Sequence, residues 1–189
     1  MESNAKHSAI TVAMARRQKT GSYALILRSR HWGRLQIGKL GLLTLRPGYY
    51  IYVGSAFGPG GIPARTAHHQ RVQACPHWHI DYLRRQTELL AVWYSFDTVK
   101  REHRWADVLA GEESCRLAMP RFGASDCHCP GHLFYSVHAP QITDFERRLR
   151  RMDREHPLLY LAICNTADAG LPGKKRRRRR PASALSQAA

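Results

Sequence analysis

Apolar and polar positions alternate with a period of two in several short stretches of the chain. Gly21-Ser22-Tyr23-Ala24-Leu25-Ile26-Leu27 is the first, a strand with Tyr23, Leu25 and Leu27 on one side. After a turn around His31-Trp32-Gly33, Arg34 to Ile37 alternates again, and Leu42 to Leu45 adds a third short strand. Arg46-Pro47-Gly48 then turns the chain into a fourth, where Tyr50 and Tyr52 share one face and Tyr49, Ile51 and Val53 the other. Large side chains on both faces mark a central strand covered on both sides. Short strands joined by tight turns make an antiparallel meander the economical topology.

Beyond Gly54 the period changes. Gly58-Pro59-Gly60-Gly61 stops the strand, and Ile62 to Arg71 reads as helix with Pro63 in its first turn. A second helix is expected from near His79, after Pro76, with Ile80 and Leu83 facing inward. Glu88 to Phe96 is apolar enough for an internal strand. A helix over about Thr98 to Ala110 carries the stripe Val99, Glu102, Ala106 and Leu109, with Trp105 alongside. Glu112 to Ser114 is an exposed turn, residues 121–132 form a compact loop, and His132 to Val137 is a strand. Thr143 with Glu146 three later signals a capping box and a helix to about Met152. Periodicity does not decide between strand and helix for the apolar run 157–164.

Composition adds a partner. The 189 residues, 43% hydrophobic, suffice for one domain with a buried core, plus tails. Residues 1–20 read as a flexible arm whose apolar stretch is too short for a signal-peptide core or a membrane span, and residues 167–189 as a disordered polybasic tail. The formal net charge is +16, and the block Lys174-Lys175-Arg176 to Arg180 supplies seven of those charges, leaving about +9 on residues 1–173. Such an excess favours a polyanion, with nucleic acid the commonest and a nonspecific basic surface the alternative. Five cysteines, an odd number, indicate reduced thiols and a cytoplasmic location rather than a disulfide framework.

Candidate chemistry collects at one edge. Arg65 and His69 lie four apart on one helical face with His68 beside them, close to the end of the tyrosine strand. A guanidinium holds two phosphoryl oxygens at once, and a tyrosine or histidine moves a proton to or from an attacking water, so the set suits a phosphodiester. The plainer reading is aromatic packing followed by an ordinary basic helix. Glu102 falls on an inward face, where a carboxylate is costly without a positive partner; magnesium supplies one, and an ion pair to Arg65 would supply another. His77, His79 and Asp81 do not face one another on a helix, so His77 or His79 is expected to line the cleft without holding a metal. Cys127, Cys129 and His132 are three potential zinc ligands, one fewer than a closed site needs; Cys115 or a histidine from elsewhere would have to be the fourth, and a hydrogen-bonded loop is the expectation. Arg147, Arg148, Arg150, Arg151 and Arg154 form a basic ridge available to a phosphate backbone, to which Lys174 and Lys175 add salt-sensitive affinity.

Gly21-Ser22-Tyr23 opening one strand, Tyr52-Val53-Gly54 closing another, and Arg65 and His69 on the next helix resemble the signature of the GIY-YIG nuclease superfamily. His77 to Leu83 and Gly123 to Tyr135 further resemble segments of its stand-alone DUF123 or Uri-type domains. The chain departs from the superfamily pattern at Ser22, at Val53 and in the longer link Gly58 to Gly61. The resemblance covers about residues 20–138. It implies an α+β fold with a small, mainly antiparallel β-sheet flanked by helices, in a domain over 21–138; residues 139–166, beyond the resemblance, are expected to form a C-terminal helical extension. It also implies a Mg- or Mn-dependent endonuclease acting on nucleic acid, with DNA in repair or processing the expected substrate. By that resemblance Tyr23, Tyr52, Arg65, His69 and Glu102 are catalytic, Glu102 binds the metal, and His77 contributes to the cleft. A binding module that kept the fold without the chemistry is the alternative.

Overall fold

The computed structural model describes residues 19–164. Residues 1–18 and the tail containing Lys174 and Lys175 lie outside the described residues. Eight strands and four helices follow in the order β1 (Gly21–Ser29), β2 (Gly33–Ile37), β3 (Gly41–Leu45), β4 (Gly48–Ser55), α1 (Gly61–Gln70), α2 (His79–Arg84), β5 (Glu88–Phe96), α3 (Glu102–Ala110), β6 (Cys115–Leu117), β7 (Leu133–Ser136), α4 (Ile142–Met152) and β8 (Tyr160–Ile163). Six strands form an antiparallel sheet in the order β6-β7-β4-β1-β5-β8, and β2 and β3 pair as a separate hairpin. The fold is therefore the expected α+β class. Among the described residues no helix is long and apolar enough to cross a membrane.

The meander does not form. β1 pairs directly with β4, Tyr23 opposite Gly54 and Leu27 opposite Tyr50, and the β2–β3 hairpin between them leaves the sheet. Burial accounts for the difference: Ile37, Leu43 and Leu45 join Leu25, Leu27 and Tyr50 in one core, so the hairpin covers a face of the sheet that a fourth consecutive strand would leave open. Ile80 and Leu83 of α2 and Ile62 of α1 complete that core. On the other face Ala24, Ile26, Ile51, Val53 and Trp93 pack under Trp105 of α3 and Phe145 and Leu149 of α4. β1 and β4 are thus covered on both sides, as the tyrosine strand implied.

Helix boundaries differ from expectation in two places. α3 starts at Glu102 rather than Thr98, because the Asp97 carboxylate accepts the Val99 N–H in a tight turn and the Ser22 hydroxyl takes the Arg101 N–H; Val99 is left exposed. α4 begins at Ile142 with no side-chain cap, so Thr143 lies inside the helix and the capping box is not made. Within the run 157–164, Tyr160–Ile163 forms strand β8, which pairs with β5, so the part of the expected helical extension that is described is one helix followed by an edge strand. Burial of Phe145 and Leu149 contributes roughly 3 kcal/mol or more, so the segment beyond residue 138 is part of the same folded unit.

Candidate active-site cleft

The site starts from a cross-strand pair. Tyr23 on β1 stands opposite Gly54 on β4, and Tyr52 lies diagonally from it on the same face, ring centroids 6.5 Å apart and edge-on. Glycine is required at position 54 because a Cβ there would sit 2.6 Å from the Tyr23 hydroxyl. At Gly21 a Cβ would meet the Ser95 carbonyl oxygen at 1.8 Å, so glycine lets the start of β1 approach β5. The two glycines are thus close-approach positions, Gly54 for the Tyr23 ring and Gly21 for the β5 backbone.

Helix α1 delivers the next layer. His69 Nε2 lies 2.9 Å from the Tyr23 hydroxyl, and His69 is only 1% exposed. Arg84 Nε donates to the His69 carbonyl at 2.9 Å and fixes the end of the helix. Burial, with the neighbouring His68 and Arg65, lowers the His69 pKa to about 3, so the imidazole is neutral at neutral pH. Burial also pushes Tyr23 well above an ordinary phenol, helped by Tyr52 and opposed by Arg65, and raises Tyr52 to about 12. Neither tyrosine is a phenolate by itself. Each can still donate its proton, and Tyr23 has an imidazole within hydrogen-bond distance to exchange it with.

Arg65 points into the same space. Its guanidinium lies 4.2 Å over the Trp78 ring, which also meets the His68 ring at a tilt, centroids 4.5 Å apart. Trp78 is held in turn by Asp81, whose Oδ2 accepts the Trp78 N–H at 2.9 Å and the His77 N–H at 3.0 Å while Oδ1 meets His68 Nε2 at 3.0 Å. Burial alone would raise the Asp81 pKa, but these three partners outweigh it and hold the carboxyl below its usual range. The segment from His77 to Asp81 is therefore a rigid bracket for Arg65 and α1.

Glu102 comes from the sheet's other side at the start of α3. Arg101 anchors that start through its N–H to Ser22 Oγ at 3.1 Å and through ion pairs to Asp97 and Asp153. Glu102 is 7% exposed, and its Oε2 is buried with no hydrogen-bond partner among the described residues. The ion pair to Arg65 considered as its alternative partner is not among the contacts of the described residues; the nearest cationic candidate is His103, Nε2 to Oε1 at 3.9 Å. A buried carboxylate oxygen left in this way costs free energy that a bound cation would recover.

Tyr23, Tyr52, Arg65, His77, Lys100 and Glu102 line one cleft of about 380 Å³. His69 sits behind Tyr23 and reaches the cleft through its hydroxyl. His79 lines the cleft beside His77, and so do Trp78 and Lys100, which had no assigned role from sequence. Trp78 belongs to the cleft only because the chain folds back over α1, and Lys100 carries no local pattern that marks it. Cys127 and His132, on the loop before β7, form another wall, with Ser125 and Asp126 beside them. The ligand-type atoms of Cys127, Cys129 and His132 and of His103 on α3 all lie within 4.8 Å of one another. Cys115 is instead on β6, packed against the second core.

The basic ridge is elsewhere. Arg147, Arg148 and Arg151 ride on α4, which packs on the sheet face opposite Tyr23 and Tyr52. Arg147 pairs with Asp144 at 2.7 Å, Arg148 with Glu112 and Arg150 with Glu146 at 2.9 Å, so much of the ridge is neutralised.

A family model described as "Domain of unknown function DUF123" matches residues 22–154, and the chain belongs to that family. No curated protein and no solved structure matches the chain.

Proposed function

We propose that the DUF123 domain of this chain is a divalent-metal-dependent endonuclease that hydrolyses phosphodiesters in nucleic acid, in the manner of the GIY-YIG nucleases its motifs resemble. One observation carries the reading: Tyr23, Tyr52, Arg65 and Glu102, from four separate elements, converge on one cleft, with the unpartnered Oε2 of Glu102 beside them. Packing alone gives no reason to bury a carboxylate oxygen without a partner next to a polar opening. Such an oxygen fits a hard divalent cation, Mg or Mn, which takes oxygen ligands and keeps waters on its free positions. Bound there through Glu102, the ion would supply charge neutralisation to the phosphoryl oxygens.

The chain's own residues would do the rest. Arg65, braced by Trp78, binds a nonbridging phosphoryl oxygen pair and stabilises the negative charge that builds on it. Tyr23 orients the attacking water and takes its proton while passing its own to His69 Nε2 across 2.9 Å, which avoids a free phenolate; as the water oxygen bonds to phosphorus, the bond from phosphorus to the leaving sugar oxygen breaks and that oxygen takes a proton from solvent. A phosphodiester anion in the cleft favours the imidazolium and so raises the basicity of His69 from its low value in the free protein. Tyr52, edge-on to Tyr23, donates to the water or a phosphoryl oxygen. His77 and Lys100 on the rim meet the flanking backbone. The excess positive charge supports nucleic acid as partner, and the five free cysteines support the reducing cytoplasm as the place of work.

The test is incubation of the full chain with branched, nicked, single-stranded and duplex DNA in Mg or Mn. Metal-dependent cleavage of at least one substrate is expected. Binding to them without cleavage of any would support the binding-module reading instead.

A further inference from the structure

Four side chains of metal-ligating type meet where the loop before β7 crosses the start of α3. His103 Nδ1 lies 3.0 Å from Cys129 Sγ, and Cys127 Sγ lies 3.6 Å from His132 Nε2. All four ligand atoms are within 4.8 Å of one another. Zinc at about 2.3 Å from sulfur and about 2.0 Å from nitrogen would place a sulfur and a nitrogen about 3.5 Å apart at tetrahedral angles. The two observed sulfur–nitrogen separations bracket that value. Two thiolates and two neutral imidazoles also cancel the charge of a dication, which matters where the ligands are partly buried.

We propose that His103, Cys127, Cys129 and His132 form a closed structural zinc site that clamps the loop 121–132 to helix α3. The sequence offers only three of these ligands within one loop. The fold brings His103 to the others from 24 positions before Cys127, which turns an incomplete set into a complete tetrahedral one. A loop held by hydrogen bonds alone gives no account of a fourth ligand-type atom supplied by a different element. Four protein ligands leave no open position, so the ion's work is structural. That work bears on the cleft. His103 adjoins Glu102 in the chain, and the clamped loop carries Gly123, where an added Cβ would lie 2.7 Å from the Tyr52 ring, as well as the cleft-lining Ser125 and Asp126. The site holds one wall of the cleft against the helix that presents Glu102, and it does not depend on what the cleft catalyses.

The experiment uses the untagged full chain. Zinc is measured by elemental analysis after exhaustive dialysis, and the same protein is exchanged with cobalt(II) for its visible spectrum. About one zinc per chain is expected, with cobalt giving the intense visible bands of a tetrahedral site and a near-ultraviolet thiolate-to-cobalt transition. The Cys127→Ser/Cys129→Ser double variant should lose both the zinc and the thiolate transition. His103→Gln, an exposed position whose replacement leaves the loop cysteines intact, should weaken zinc at least about 100-fold in competition with a chromophoric chelator. Cys115→Ser should leave the metal in place. Absence of stoichiometric zinc and of a cobalt–thiolate band in the parent protein overturns the proposal, whether or not the variants fold. So does zinc that survives the double cysteine change or is indifferent to His103→Gln.

Discussion

Acidification should weaken this protein through His69 in a way that one substitution isolates. The native imidazole is buried against Tyr23 and titrates at about 3, against 6.5 for the ordinary group. Below pH 6.5 the unfolded chain takes up a proton that the native site refuses, so stability is full above 6.5, falls as the pH drops toward 3, and flattens below it. The gap amounts to roughly 5 kcal/mol at about 1.4 kcal/mol per pH unit, a large share of a typical domain's stability. Between pH 7.5 and 4.5 the His69 share is roughly 2–3 kcal/mol. His79, His132 and His156 are also lowered by burial and Asp81 and Asp97 are held low by their partners, so the parent loses stability in acid for several reasons. His69→Gln removes only this one, while its amide can still meet the Tyr23 hydroxyl. Urea unfolding followed by tryptophan fluorescence at both pH values should show the variant losing roughly 2–3 kcal/mol less than the parent. Equal losses in the two proteins would refute the buried, neutral His69 on which the proposed proton relay depends.

Gly54→Ala puts a methyl 2.6 Å from the Tyr23 hydroxyl, so the ring must move; the expected result is about 1–3 kcal/mol less stability in urea unfolding from the broken Tyr23–His69 bond, with cleavage down about 100-fold. A variant as stable and active as the parent would show that Tyr23 does not need its position opposite Gly54. Binding to duplex DNA should weaken steeply with salt, and removal of residues 174–189, which takes seven positive charges, should lower the slope of log K against log salt by up to about 6 without abolishing it. Arg151→Ala should lower that slope more than Arg147→Ala, whose guanidinium already has Asp144; filter binding over a salt series measures both, and salt-independent affinity would count against a backbone contact.

Local pattern carried the elements well and their assembly less well. The alternation through Tyr23 to Leu27 and Tyr49 to Val53 gave β1 and β4 because both cores draw on it, one face of each strand for each core. What alternation could not say is which strands pair: the β2–β3 hairpin is as regular as the others, and only the packing of Ile37, Leu43 and Leu45 over the sheet removes it from the meander. The residues of the cleft were readable where a motif fixed their spacing, as for Arg65 and His69 four apart on α1. Partners brought together by the fold were not. The cation–π contact between Arg65 and Trp78, the contact of Asp81 with His68 and the arrival of His103 at the cysteine loop all join separate elements. Glu102 was placed inward by a helical stripe that begins too early, since Val99 is exposed; its position follows instead from Arg101 and its ties to Ser22, Asp97 and Asp153.

The most direct measurement compares single-turnover cleavage and equilibrium binding of one DNA substrate by the parent chain and by Arg65→Ala, Glu102→Gln and Tyr23→Phe, each in Mg and in EDTA. The expected result is metal-dependent cleavage by the parent and losses of about 100-fold or more in the first two variants, each corresponding to about 3 kcal/mol of transition-state stabilisation. Tyr23→Phe should lose nearly as much, while binding and unfolding stay close to the parent for Arg65→Ala and Glu102→Gln. Cleavage by Tyr23→Phe at the parent rate beside an inactive Arg65→Ala would remove Tyr23 from the relay. A parent chain that binds but never cleaves, or Glu102→Gln and Arg65→Ala variants that cleave as it does, would contradict the assignment of this cleft as a phosphodiesterase site.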